Sequence, residues 1–404
     1  MDAFKDTLQP MFLDYERSHP QVRIHWVDVP FSEGPKRALT ALMSGHPPDV
    51  INLNPDFSAT LANRNALVNM RKALPKTVQN RYLPVAWQAA SLTQSLSPSM
   101  PASAPITFGL PWYVTSSVTL YNRALLNQAD LHKPPAHFEE LANFARVVHN
   151  KTGAYGLMPL ITENGAFLKL LQKLGISLYN TQGHAIFATP SAKTILQRYV
   201  SLYQEGLIPA ETITEGHQAA VGRFQAGSLA TLLIGPNFLK IVQENAPDVY
   251  RTIGIAPQFP ADSAFQDFSL MVLVVPVKSA HPADAVDFAA FITNAENQLA
   301  LAKKAPVLPS ITRALQNPYF SLEKDNAKTS QASAARTPMP DLMRQGRAIS
   351  ATQLLQASQT YAVQPNQAAI HEIINYYVQM AFLGKISAAE ALDKAQGEIN
   401  DLQK

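Results

Sequence analysis

A chain of 404 residues with 47% hydrophobic side chains is too long for one ordinary core and is expected to fold as two domains or lobes. With 33 basic and 30 acidic residues, a formal net charge of +3, it gives no basis for nucleic acid or an anionic membrane as partner. The absence of cysteine excludes structural disulfides, thiolate zinc sites and cysteine nucleophiles, and is compatible with a bacterial periplasm without requiring it.

Residues 1–18 carry Phe4, Leu8, Met11, Phe12 and Tyr15 at helical spacing, and His19-Pro20 ends the run. No positive start, apolar stretch or cleavage site stands there, so an export signal is not read in the chain as given. Residues 22–29 alternate Val22, Ile24 and Trp26 against Arg23, His25 and Val27, which predicts a half-buried strand. A short helix over 35–43 closes at Ser44-Gly45, and 49–54 reads as a strand ending in polar residues. This is the pattern of a sheet with covering helices. Helices are expected over 57–64 and 78–94, then a Ser/Pro-rich loop over 95–105.

Residues 108–122 combine Gly109 and Pro111, the adjacent aromatics Trp112 and Tyr113, and a β-branched and aromatic run over 114–121. They are expected to form a crossing between two lobes, with the aromatic pair at the hinge edge of a cleft. Helices follow over 138–150, 166–174, 191–204 (capped by Thr189 with Pro190 at its first position) and 218–225, each ended by a glycine. A strand over 229–234 runs into Gly235-Pro236-Asn237 and a helix over 237–245; 253–256 is another short strand. The apolar run 270–277 is too short for a membrane span and contains Pro276, so it reads as a buried strand. Helices are expected over 283–291, 295–303, 350–357 and 366–383, with a loop or frayed helix over 324–337; a capping box at Ser387 opens the last helix, to 402.

No dinucleotide fingerprint, phosphate loop or nucleophile elbow is present. His371-Glu372 lacks the second histidine of a zinc-protease helix, and the ten histidines have no metal-ligand spacing. Tyr376-Tyr377 is an adjacent tyrosine pair of the kind that ligates ferric iron in some binding proteins, here inside an amphipathic helix. A different set falls at strand ends and in loops: Asn52, Asn54 and Asp56; Trp112 and Tyr113; Glu163 and Asn164; Asn237; Gln266, Asp267 and Ser269. Ligands collect beyond the carboxyl ends of strands in open sheets. Aromatic faces with amides and carboxylates suit a sugar, whose C–H face packs on a ring while its hydroxyls donate and accept. Each member also has a plain reading: Trp112 as a core aromatic, Asn54 as a turn former, Asn237 as a helix cap.

Six segments in order resemble the extracellular solute-binding proteins of ABC importers, in the group containing maltose-binding protein. They are Gly45-His46-Pro47-Pro48-Asp49-Val50; Phe108-Gly109-Leu110-Pro111-Trp112 with Leu120-Tyr121-Asn122-Arg123; Pro134-Pro135-Ala136-His137-Phe138-Glu139-Glu140-Leu141; Phe224-Gln225-Ala226-Gly227 through Gly235-Pro236; and Ala389-Glu390-Ala391-Leu392-Asp393. The resemblance covers nearly the whole chain. It implies an α/β, two-lobed type II periplasmic-binding-protein fold, with hinge strands and sugar bound in the interlobe cleft. With 108–122, the apolar strand 270–277 and the region 306–309 as three crossings, the N-terminal lobe is expected to be 1–110 plus 273–310, and the C-terminal lobe 111–272 plus 311–404. The resemblance further implies hinge closure on the ligand, delivery to the permease subunits in the membrane, a monomer, no cofactor and no catalysis, and a periplasmic or extracytoplasmic, membrane-associated location.

Carried over by position, Trp112 and Tyr113 match ligand-contacting aromatics, while Asn237 stands where many relatives place a stacking Trp. That departure favours a small glycoside over a long oligosaccharide. Placement at strand ends and in loops, together with the positions carried over, gives the candidate ligand set Asn54, Asp56, Trp112, Tyr113, Glu163, Asn164, Asn237, Gln266 and Ser269. The family's first strand has no counterpart before the first helix, which we read as a shortened reading frame, with an unpaired strand edge as its consequence. Two other readings are a binding protein for a peptide, polyamine or ferric ion, with Glu163 and Asp267 as acids for a polyamine, and a carbohydrate hydrolase using two cleft carboxylates.

Overall fold

Among the described residues nine strands set the frame: β1 (Ile51–Leu53), β2 (Ser91–Leu92), β3 (Ile106–Thr107), β4 (Leu110–Ser116), β5 (Val118–Asn122), β6 (Thr231–Ile234), β7 (Ile253–Ala256), β8 (Phe268–Val274) and β9 (Leu308–Pro309). They are taken from a computed structural model that describes residues 2–30, 33–92, 105–261, 263–322, 341–358, 361, 364 and 366–402. The chain divides into two compact units. One comprises Met1–Ser116, Phe268–Ser321 and Ala357–Gln367; the other comprises Ser117–Asp267, Leu322–Gln356 and Ala368–Lys404. The expected strand run over 108–122 is thus two strands, β4 and β5, in different sheets.

In the first unit the strand order is β1-β8-β4-β9, all pairs antiparallel, with β2–β3 a separate ribbon. The apolar run of β8 lies between β1 and β4, and Val272 and Val274 are fully buried. An interior strand covered on both faces reads as continuous hydrophobic sequence, which is why it was legible. The helix Asp2–Ser18 packs Leu8, Met11 and Tyr15 inward; Tyr15 stacks edge-on with Phe288 at 5.1 Å and donates its hydroxyl to Asp287 Oδ2 at 2.9 Å.

Two expectations in this unit are corrected. Residues 22–29 form no strand. Their alternation survives as burial, with Val22, Ile24 and Trp26 half-buried and their neighbours exposed, but no ladder forms. Trp26 instead packs on Phe12, and Glu16 accepts the Ile24 N–H at 2.7 Å. Side-chain alternation needs only an extended backbone against an apolar surface, whereas a strand needs a partner. The continuous helix expected over 78–94 is also broken. Lys76–Gln79 and Pro84–Ala89 are separate short helices, followed by β2, because Pro84 cannot donate inside a helix and starts a new one.

The second unit holds a three-stranded antiparallel sheet, β6-β5-β7. Val118 and Leu120 of β5, Leu232 and Ile234 of β6 and Ile253 of β7 share a buried cluster with Phe224, Leu239 and Val242 from the covering helices. The helix Pro190–Gln204 packs along the last helix, Ala388–Asp401. Both have the expected caps: Thr189 accepts from Ala192 N at 3.2 Å, and Ser387 from Glu390 N at 3.1 Å. The expected loop over 324–337, and 95–104 of the loop over 95–105, lie outside the described residues. Among the described residues no helix is long and apolar enough to cross a membrane.

Candidate functional site

In the first unit the strand ends bring together Asn52 and Tyr113. Burial raises the Tyr113 phenol above its ordinary pKa, and the Asn52 side chain beside it works in the other direction. Tyr113 therefore stays protonated at neutral pH and keeps its O–H as a donor. Trp112 and Tyr113 lie 5.2 Å apart, and Phe4 packs on both, at 6.0 and 5.6 Å. Trp112 is only 7% exposed and belongs to the core, whereas Tyr113 is half-buried. Asn54 closes β1 and caps the helix Pro55–Asn63: its Oδ1 accepts from Phe57 N at 2.9 Å and its carbonyl accepts the Ser58 hydroxyl at 2.7 Å. Asp56 sits in that helix's first turn, where a carboxylate is favoured. Ser269 is exposed on β8, opposite Thr115.

Because the Asn54 side-chain oxygen is committed to the cap, Asn54→Ala is expected to cost about 1 kcal/mol of stability. A urea titration checks this. A loss of solute affinity beyond that proportion marks a contact made by the amide nitrogen.

In the second unit Glu163 and Asn164 occupy a tight lead into the helix Ala166–Lys173. Asn164 (φ 52°) and Gly165 (φ 64°) are consecutive left-handed residues. Asn375 accepts the Gly165 N–H at 3.2 Å, and the His371 ring fills the space a Gly165 side chain would take. Glu163 is half-buried with its carboxylate against Gly216, and its Oε1 is buried without a hydrogen-bond partner. Asn237 is half-buried and makes no side-chain cap to the helix Phe238–Asn245, so its plain reading as a cap fails. Gln266 is buried, donates to Ser263 O at 2.7 Å, and leaves its own Oε1 without a partner.

This unit also holds a buried polar knot that residue type alone does not mark. The Lys173 ammonium is 5% exposed, donates to Gln258 Oε1 at 2.8 Å and stands 3.8 Å from Asp267. Burial lowers its pKa, and the Asp267 charge works in the other direction. Gln258 also accepts from Asp267 N at 3.0 Å and donates its own N–H to Gln353 Oε1 at 2.6 Å; Gln353 in turn donates to Ser117 O at 3.1 Å. A lysine in the last turn of a helix ordinarily reads as a solvated charge complementing the dipole, so no local signal marks it.

A groove of about 550 Å³ in the same unit is lined by none of the four candidates here. Its Arg146 and Lys193 are already neutralised by Glu205 and Asp393 at 2.8 and 2.7 Å. Tyr377 donates to Glu398 at 2.9 Å, and Tyr376 is 56% exposed, so the tyrosine pair lies on a helix surface. Among the described residues no three His, Asp or Glu side chains group as a metal site.

The chain belongs to the bacterial extracellular solute-binding protein family, whose sequence profile matches residues 2–299. It is a solute-binding protein with the type II periplasmic-binding-protein fold. A crystal structure from Synechococcus sp. MITs9220, of a protein provisionally described as an oligosaccharide periplasmic-binding protein, is 30% identical; the match covers 99% of this chain and 96% of that one, with a TM-score of 0.86. The GacH receptor of Streptomyces glaucescens GLA.O, solved unliganded and with acarbose, shares the fold at 19% identity over 100% and 96% of the chains, TM-score 0.74. An uncharacterized lipoprotein from the oleD 5′ region of Streptomyces antibioticus is 23% identical over 334 residues, 80% of this chain and 71% of that protein.

Proposed function

We propose that this protein is the sugar-binding component of an ABC importer, taking a small glycoside and passing it to the permease subunits in the membrane. The observation that carries this is the 30% identity across nearly the whole chain to the Synechococcus protein provisionally described as oligosaccharide-binding. Its two compact units serve as the lobes, and it acts as a monomer outside the cytoplasmic membrane without catalysing a reaction. On the first unit, Asn54, Asp56, Trp112, Tyr113 and Ser269 supply solute contacts; on the second, Glu163, Asn164, Asn237 and Gln266 do so. Tyr113 is the principal aromatic contact, because it is half-buried while Trp112 is only 7% exposed. The partnerless oxygens of Glu163 and Gln266 are acceptors in want of hydroxyl donors. A polyamine is disfavoured, since Asp267 already faces the Lys173 ammonium.

Calorimetry against a panel of mono- and disaccharides tests this reading. At least one sugar is expected to bind, and Tyr113→Ala is expected to weaken it about tenfold. A panel without any binder removes the sugar assignment; unchanged affinity in Tyr113→Ala removes the site.

A further inference from the structure

The aromatic pair sits on an irregular step of β4. Pro111 faces Val272 across the ladder and Tyr113 faces Met271, so two steps along β4 match one along β8 and Trp112 is the extra residue of a β-bulge. A bulge turns its carbonyls out of the ladder and redirects the side chains beside it. Carbonyls left without donors in a buried setting are costly.

Two side chains from distant parts of the same unit provide those donors. Ser310, fully buried just after β9, donates its hydroxyl to the Pro111 carbonyl at 2.7 Å and lies 3.4 Å from the Trp112 carbonyl. Gln298, on the helix Ala295–Lys304 and 2% exposed, donates to Ser310 Oγ at 3.0 Å, to Thr293 O at 2.9 Å and to Pro111 O at 3.3 Å. Its Oε1 accepts the Ser310 N–H at 2.6 Å, and the Ser310 carbonyl accepts from Leu83 N at 2.8 Å. Every polar group of Ser310 is therefore spent, and the relay Gln298 to Ser310 to Pro111 is cooperative. The ladder between β4 and β9 is complete without it, at Tyr113↔Pro309 and Val114↔Leu308. What the relay adds is a fixed shape for the bulge.

We infer that Gln298 and Ser310 are positioning residues for solute binding: they hold the bulge that orients the Trp112 and Tyr113 rings, and neither touches the solute itself. This rests on the reading that the aromatic pair contacts the solute. In a background where Trp26→Phe and Trp87→Phe leave Trp112 as the sole tryptophan, Ser310→Ala and Gln298→Met are each expected to red-shift its emission and raise its quenching by acrylamide. Ser310→Thr, which keeps the hydroxyl, restores the parent spectrum. Thr293→Val removes the 2.6 Å hydroxyl pair with Tyr82 but keeps the Thr293 carbonyl. It should lower the urea midpoint and leave Trp112 emission unchanged.

Titration with maltose and maltotriose adds the functional readout: affinity is expected to fall about fivefold in Ser310→Ala and to hold in Thr293→Val. Unchanged Trp112 emission in both Ser310→Ala and Gln298→Met, or an equal shift in Thr293→Val, overturns the positioning role. If neither sugar binds the parent, or Tyr113→Ala binds as well as the parent, it is the solute reading that fails; the emission spectra still decide the bulge.

Discussion

Lowering the pH from 6.5 to 4 is expected to remove about 3 kcal/mol of folding stability through His371 alone, from 2.5 pKa units at about 1.36 kcal/mol each. The imidazole is 9% exposed and packs against the backbone of Gly165. Burial, with a smaller contribution from the Lys169 charge, pushes its pKa down from 6.5 to about 4. In the unfolded chain it titrates near 6.5. Between these two values the unfolded state binds a proton that the folded state does not, so stability falls as the pH drops through the window. It levels off below about 4, where both states are protonated. Urea unfolding at pH 7, 5.5 and 4 on the parent and on His371→Gln isolates the effect, because the carboxylates contribute equally to both. The difference between the two proteins should shift by about 3 kcal/mol across the range. Parallel acid limbs would show that the ring is solvated enough to protonate in place.

The features that were legible in the chain are those written in short-range patterns. Thr189-Pro190 and Ser387 mark helix starts because a cap acts within three residues. The strand Ile253–Ala256 and the apolar core of β8 follow from side-chain type alone. Glu140, in the resembling segment 134–141, accepts the His137 N–H at 3.2 Å, another contact that acts within three residues. Long-range partners were not legible. No spacing rule joins Ser310 to Pro111, 199 residues away, or Lys173 to Gln258. His371 was noted for a metal motif it does not complete, while its role is to fill the space above a left-handed glycine. The failed strand over 22–29 has the same origin: alternation is local and pairing is not. The candidate solute residues were chosen by their place at strand ends, which the topology supplies. Whether a side chain there is free or already spent, as with Asn54 and Asn237, depends on geometry that residue type does not encode.

Gly165→Ala is expected to cost about 3 kcal/mol, the sum of about 1–2 kcal/mol for a left-handed backbone bearing a Cβ and a similar amount for overpacking. The backbone stands at φ 64°, and the new methyl would lie 2.0 Å from His371 Cδ2 and 2.5 Å from its Nε2. The ring cannot simply step aside, since it lies 9% exposed on the helix Gln367–Phe382, and one turn further along the same helix Asn375 holds the Gly165 N–H. The two components separate in a double-mutant cycle. In a His371→Ala background the steric part disappears and the backbone part stays, so Gly165→Ala should cost about 1–2 kcal/mol there, a coupling of about 1–2 kcal/mol. Strict additivity would mean that the loop, not the ring, absorbs the methyl. That outcome has its own signature, because a displaced loop carries Glu163 and Asn164 with it, and the carboxylate of Glu163 is already wedged against Gly216. Stability lost with solute affinity intact therefore places the strain on His371, whereas affinity lost out of proportion to stability places it on the two residues proposed to hold the solute.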